Sequence, residues 1–161
     1  MSYMNYGIKP DIVSMAKALG GGMPIAAICA REDVSKAFTM GSHAVPSAAI
    51  RSAAPQLGRS QRTVGQRPGW QCQEDGAYFL EQAREKLPHL KEARGQGCFL
   101  GLEFDDKINS VDLKHKCFDK HMLSTAIGDH VLRLVPPLIL QKEHVDKAIA
   151  IIKESVEELA K

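Results

Sequence analysis

Chemistry in this sequence gathers first at one lysine. Lys17 ends the apolar run Asp11-Ile12-Val13-Ser14-Met15-Ala16. Gly20, Gly21 and Gly22 follow closely, then a second apolar run from Pro24 to Ala30. Consecutive glycines let a backbone pass near a bulky group without side-chain clash. A lysine at the edge of apolar surroundings gives up its charge readily, and its amine then acts as a nucleophile. The competing interpretation is a surface lysine ahead of a flexible turn. Metal chemistry has little support. The cysteines Cys29, Cys72, Cys98 and Cys117 are far apart in sequence, form no Cys-x-x-Cys pair, and the histidines are scattered. No metal is therefore expected, and the cysteine usage suits a reducing cytoplasm.

The elements that must position Lys17 are short strands. Residues 11 to 16 and 24 to 30 are almost wholly apolar, as suits strands buried on both faces of an α/β sheet. Arg31 to Phe38 reads as a short helix with Val34, Ala37 and Phe38 on one face. A sheet cut down to these strands would leave backbone edges open, an aggregation hazard. Regular pattern resumes at Asp75. The spacing predicts a helix from Gly76 to Leu87 that buries Phe79, Leu80, Ala83 and Leu87 and stops at Pro88. Lys91 to Phe104 reads as two strands around Gly95-Gln96-Gly97, with Phe99, Leu100 and Leu102 available to a core. Val111 to Lys120 reads as a helix. Met122 to Ala126 and Val131 to Leu134 read as strands flanking a Gly128-Asp129 turn. Lys142 to Lys161 has the clearest helical period, in Val145, Ile149, Ile152, Val156 and Leu159. Its other face carries Lys142, Asp146, Lys153, Glu157 and Glu158, which fits a solvated surface.

Several segments in order make the chain similar to a known family. They are Tyr6-Gly7-Ile8-Lys9-Pro10-Asp11-Ile12, the Lys17 stretch, Phe38-Thr39-Met40-Gly41-Ser42-His43 and Gly76-Ala77-Tyr78-Phe79-Leu80. The series continues with Arg94-Gly95-Gln96-Gly97-Cys98-Phe99-Leu100-Gly101-Leu102-Glu103 and Val131-Leu132-Arg133-Leu134-Val135-Pro136-Pro137-Leu138-Ile139. Together they resemble the class III pyridoxal-phosphate (PLP) aminotransferases, in particular the acetylornithine and ornithine aminotransferase group. The resemblance implies an α/β chain: the C-terminal part of the fold type I PLP-dependent transferase fold. It would hold a remnant of the large-domain sheet (1–43), an irregular segment (44–73) and an α/β small domain (74–161). It implies PLP as cofactor, with Lys17 as the catalytic residue that forms the Schiff base. It also implies that Arg133 faces the active site and helps place a substrate carboxylate or a partner glutamate. From its apolar strand-end position alone, Arg133 could instead close a structural salt bridge. In the family, the phosphate cup, the ring over the cofactor, the aspartate facing the pyridine nitrogen and the main carboxylate-binding arginine come from residues upstream of this stretch.

Residues 44 to 73 depart from the pattern. They contain no Asp, Glu or Lys, yet hold four of the chain's eight arginines, Arg51, Arg59, Arg62 and Arg67. After Ile50 they show neither helical nor strand period. Where the family has Gly-Ser-Thr-Phe-Gly-Gly-Asn-Pro-Leu after its Ser-His pair, this chain runs from Ala44 to Ser52. Suitable codons for those residues, regrouped after one added base, spell the family sequence. The segment therefore reads as a one-base deletion near residue 44, with the frame restored before Gly76. The family's phosphate-binding threonine, donated by the neighbouring subunit, falls at Pro46, which has neither side-chain donor nor N–H.

The implied partners are a small amino acid and a 2-oxo acid, within a homodimer. A net charge of +2 and the absence of a long apolar run argue against nucleic acid and membrane. The expected activity moves an amino group between an (acyl)ornithine-like amino acid and 2-oxoglutarate, in the cytoplasm, with the 161-residue chain alone inactive. The alternative is a non-catalytic remnant whose small domain binds a partner. Gly95, Gly97, Cys98 and His130 read as backbone-geometry, packing and turn residues.

Overall fold

The computed structural model describes residues 2–20, 24–37, 39 and 69–160. The chain divides into two units, 1–66 and 67–161, each described by itself. The stretch from Ala44 to Pro68, with Pro46 and most of the frameshift reading, lies outside the described residues, as do Phe38, Ser42, His43 and the Gly21-Gly22 pair.

The first unit is a small ribbon. Strand β1 (Ile12–Met15) pairs antiparallel with β2 (Ala27–Ala30), Ile12 opposite Ala30 and Met15 opposite Ala27. A 3-10 turn, Lys17–Gly20, follows β1 directly, and a second, Ser2–Tyr6, precedes it. One helical turn, α1 (Glu32–Ser35), follows β2. Arg31 joins these pieces: its N–H donates to the Asp11 carbonyl, and its guanidinium pairs with Asp11 at 2.7 Å and Asp33 at 2.6 Å. The expectation of strands buried on both faces is not met. Ile12 is 56% exposed and Ile28 64%, and no described residue of the unit is buried. Apolar content shows what a strand is suited to meet. Burial needs a layer that meets it, and a two-stranded ribbon has none of its own.

The second unit has a core. Helix α2 (Gly69–Lys86) leads into strands β3 (Leu90–Gln96) and β4 (Phe99–Phe104). Helix α3 (Ser110–Asp119), strands β5 (Thr125–Ile127) and β6 (Val131–Leu134) and helix α4 (Lys142–Leu159) follow. The sheet order is β3-β4-β6-β5, antiparallel throughout. Strand side chains alternate between faces. Ala93, Leu100, Leu102, Phe104, Leu132 and Leu134 therefore point one way, into a cluster with Phe79, Ala83, Leu113, Val145, Ile149, Ile152 and Val156 from the helices. Each Val, Leu, Ile or Phe of this cluster taken from water contributes about 1.5–3 kcal/mol.

Three sequence expectations need correction here. Phe99, expected in the core, is 59% exposed, because it shares the parity of Gly101 and Glu103 rather than that of Leu100 and Leu102. The strand expected over 122–126 is only Thr125–Ile127. The N–H groups of His121 and Met122 are committed to the Phe118 and Cys117 carbonyls, each at 2.9 Å, which closes the C-terminus of α3 in a Schellman arrangement. Helix α2 starts at Gly69 rather than Gly76, so residues 69 to 73 are helical despite their lack of period. Extending a nucleated helix costs little per residue, and an apolar stripe is not required for it.

α2 crosses the β3–β4 turn at contact distance between backbones. A Cβ on Gly76 would overlap the carbonyl oxygen of Gly97, which itself sits at φ +57°. Gly97 thus serves the turn. Cys98 is buried beside it, and His130 Nδ1 lies 3.0 Å from the Ile108 carbonyl oxygen.

Candidate active site

Lys17 occupies the first position of its 3-10 turn at φ +57°, in the left-handed region. That conformation costs an L-residue other than glycine about 1–2 kcal/mol, and such strain concentrates where a side chain has a task. The β1–β2 pairing fixes the strand end from which the lysine departs. The 3-10 turn is closed by Leu19 donating to the Ala16 carbonyl at 3.3 Å. The side chain is exposed, and among the described residues its amine has no ion pair or hydrogen bond. The amine is sterically open to a carbonyl carbon, but the apolar surroundings expected of it are not present among the described residues, where Lys17 and Ala16 are both exposed.

Arg133 lies in β6, opposite Gly101 of β4 and Thr125 of β5. Its parity puts it on the sheet face away from the helices. Gly101 offers no side chain there, so the guanidinium has room to lie across the sheet, with its carbon 5.9 Å from the centroid of the Phe99 ring. The Arg133 Nε is buried and has no hydrogen-bond partner among the described residues. The nearby carboxylate of Glu103 is held by Arg94 at 2.6 Å, and Arg94 also holds Glu92 at 2.7 Å. The Glu103 carboxylate pushes the Arg94 guanidinium further above its usual range. The salt-bridge interpretation of Arg133 therefore finds no carboxylate partner among the described residues. A buried donor without a partner costs about 1–3 kcal/mol, which an incoming anion would recover.

Lys17 and Arg133 belong to different units and are described separately. Sequence reading missed Phe99, Arg94 and Glu103 as companions of Arg133 on one open face. Strict alternation through 99–104 was the available signal. Among the described residues no group of three or more His, Cys, Asp or Glu is placed to hold a metal ion, and no helix is long and apolar enough to cross a membrane.

The family model for class-III aminotransferases matches residues 1–156. The chain belongs to the class-III aminotransferases. Among curated relatives, it is 35% identical to the acetylornithine aminotransferase of Methanocaldococcus jannaschii, over 99% of this chain and 41% of that protein. It is 36% identical to the acetylornithine aminotransferase of Aquifex aeolicus, over 95% of this chain and 39% of that one. Among solved structures, the ornithine delta-aminotransferase of Plasmodium falciparum superposes with a TM-score of 0.82 at 29% identity, covering 98% of this chain and 42% of its own. The chain thus spans about two fifths of the length of the relatives it matches.

Class-III aminotransferases are PLP-dependent enzymes. One solved neighbour, the ornithine aminotransferase of Toxoplasma gondii, is described with partial occupancy of PLP at its active site. Lys17 fits that group through its exposed amine, its lack of a competing partner and its fixed backbone. The mixed α/β architecture with antiparallel sheets is the corresponding part of the PLP-dependent aminotransferase fold.

Proposed function

We propose that Lys17 is the cofactor-binding and catalytic lysine, and Arg133 a substrate-carboxylate residue, of a PLP-dependent transaminase. The reaction moves an amino group between an (acyl)ornithine-like amino acid and 2-oxoglutarate. The observation that carries the substrate half is the buried, partnerless Arg133 Nε on an open sheet face. Both the amino acid and the 2-oxo acid bear a carboxylate, and a guanidinium fork matches that group's shape and charge. PLP, when bound, supplies an electron sink for the carbon from which the substrate proton is lost. Lys17 would hold the cofactor through its amine, and its Nζ would hold and return the substrate proton. Phe99 flanks the Arg133 guanidinium and keeps water from one side of it.

The substrate class follows the curated relatives, whose names specify acetylornithine. The working enzyme in this reading is a cytoplasmic homodimer, as in the family. The 161-residue chain alone is proposed to be inactive, since it spans about two fifths of those relatives. A second reading, a non-catalytic unit that binds a partner, is favoured by the self-contained core of residues 67–161.

The test uses borohydride trapping and peptide mapping. A chain extended with the upstream half of a relative, treated with PLP and then borohydride, should carry the pyridoxyl label on the Lys17 peptide. Label on another lysine would sink the assignment. The 161-residue chain should show weak PLP absorbance or none, and tight stoichiometric binding would overturn its proposed inactivity.

A further inference from the structure

A groove of about 510 Å³ opens between α2, α4 and the loops at 121–123 and 135–140. Its volume lies within the roughly 300–1,000 Å³ usual for small-molecule sites. Phe79, Leu134 and Ile151 line it with apolar surface, and Pro137 closes one side. Leu134 reaches it from the face of the sheet opposite to Arg133, so the groove takes no part in the site proposed above.

The polar groups of the groove are His121, His144 and Lys147, and no acidic residue lines it. His144 and Lys147 are three residues apart on α4, so their side chains are neighbours. The Lys147 ammonium has no ion pair among the described residues. Glu143, one turn before Lys147 on α4, is exposed and lies outside the groove lining, and other acids of the helix are engaged elsewhere. Asp146 accepts from the Tyr78 hydroxyl at 2.9 Å, and Glu154 and Glu158 hold Lys120. His144 Nδ1 accepts the Gln141 N–H at 3.1 Å. That bond fixes the tautomer: the ring hydrogen sits on Nε2, leaving a donor available to a ligand. His121 lines the groove from a left-handed residue at φ +64°, the helix-closing position where glycine is the unstrained choice. The groove therefore offers an apolar bed with cationic and N–H donor groups and no carboxylate in its lining.

We propose that this groove binds a medium-chain aliphatic monocarboxylate. The alkyl chain lies on Phe79, Leu134 and Ile151, and the carboxylate meets Lys147 and the Nε2–H of His144. Charge and shape both select this occupant. A cation would meet like charge, and an uncharged chain of the same length would leave Lys147 without a counter-ion.

The test is a titration of the full 161-residue chain with decanoate and, in parallel, decanol, below the concentrations at which either aggregates. Methyl and amide NMR shifts at Met122, Ala148 and Ile151 report the site. Decanoate should saturate at one site and bind about tenfold or more tighter than decanol, the scale of one charge-assisted hydrogen bond. Lys147→Gln should remove most of that preference while leaving decanol binding unchanged. Lys147 is exposed, so this substitution leaves the core intact. Ala148→Trp, which fills the groove, should abolish both. Equal binding of decanoate and decanol, an unchanged preference in Lys147→Gln, or shifts mapping away from the groove would each overturn the proposal.

Discussion

Replacing Gly76 by alanine sets two effects against each other, and the geometry decides the sign. Alanine is the better helix residue by about 1 kcal/mol, and Gly76 lies inside the 18-residue helix α2, so propensity alone predicts stabilisation. The added Cβ, however, would overlap the Gly97 carbonyl. That obstacle is backbone, not a flexible side-chain end. It is held at φ +57° in a turn whose flanking strands pair from Gln96–Phe99 through Leu90–Phe104. Retreat of the turn would pull Leu100 and Leu102 with it, both essentially unexposed. Overpacking of this kind costs about 1–3 kcal/mol, more where the neighbour cannot move. Because the obstacle is backbone, the cost lies at or above the top of that range, and Gly76→Ala should destabilise the 67–161 unit by about 2 kcal/mol or more net of propensity. For a unit of this size each kcal/mol lowers Tm by about 4–8 °C. Circular dichroism melts and urea titrations should show the drop, while Glu85→Ala on an exposed position of the same helix should change little. A Gly76→Ala chain as stable as the parent, or more so, would refute the close-contact argument.

Other expectations follow from burial, charge and sequence pattern. Cys117 is fully buried, and burial pushes its thiol pKa up, whereas Cys29 is exposed; maleimide should label Cys29 quickly and Cys117 only on unfolding, and equal rates would contradict the packing. The His89 hydrogen bond lowers the Asp105 pKa, and Lys120 with Lys116 lowers that of Glu158. These carboxylates add stability above their unfolded pKa values, about 4, and lose it as pH falls through their lower folded values; urea midpoints should therefore fall below about pH 4, less so in Glu158→Gln, and a flat profile would count against it. Limited proteolysis should leave residues 76 to 161, which carry the buried core, standing; early digestion of that part would overturn its description as a self-contained unit.

How much was legible in the sequence depended on whether a residue's task is local. α4 was readable because Val145, Ile149, Ile152 and Val156 repeat at helical steps and all become buried. Lys17 stood out because a glycine-rich stretch follows one amine, whereas its left-handed backbone left no mark in the sequence. The exposure of Ile12 and Ile28 was not readable, since identical apolar strands serve buried and open sheets. Phe99 was misplaced because residue type was weighed above parity. The start of α2 escaped because helix propagation through residues 69 to 73 leaves no periodic mark. The partnerless Nε of Arg133 was invisible for another reason: it depends on Glu103 being taken by Arg94, a pairing across β3 and β4 that no sequence spacing encodes.

β6 is hydrogen-bonded along both edges, to β4 and to β5. A slip of one residue would send Arg133 into the hydrocarbon interior and turn Leu132 and Leu134 out to water, and it would have to break two ladders at once. The position of this cation is therefore quantised by the pleat: right, or wrong by a whole face. Changes in the Gly128–His130 connection can lengthen or shorten a loop, but they cannot slide the guanidinium by a fraction of a residue. Fine adjustment of its reach is left to its own torsions and to the size of the ring at Phe99. In the substrate role proposed for Arg133, a lineage altering the preferred ligand length would do so at those two places, leaving the strand itself untouched.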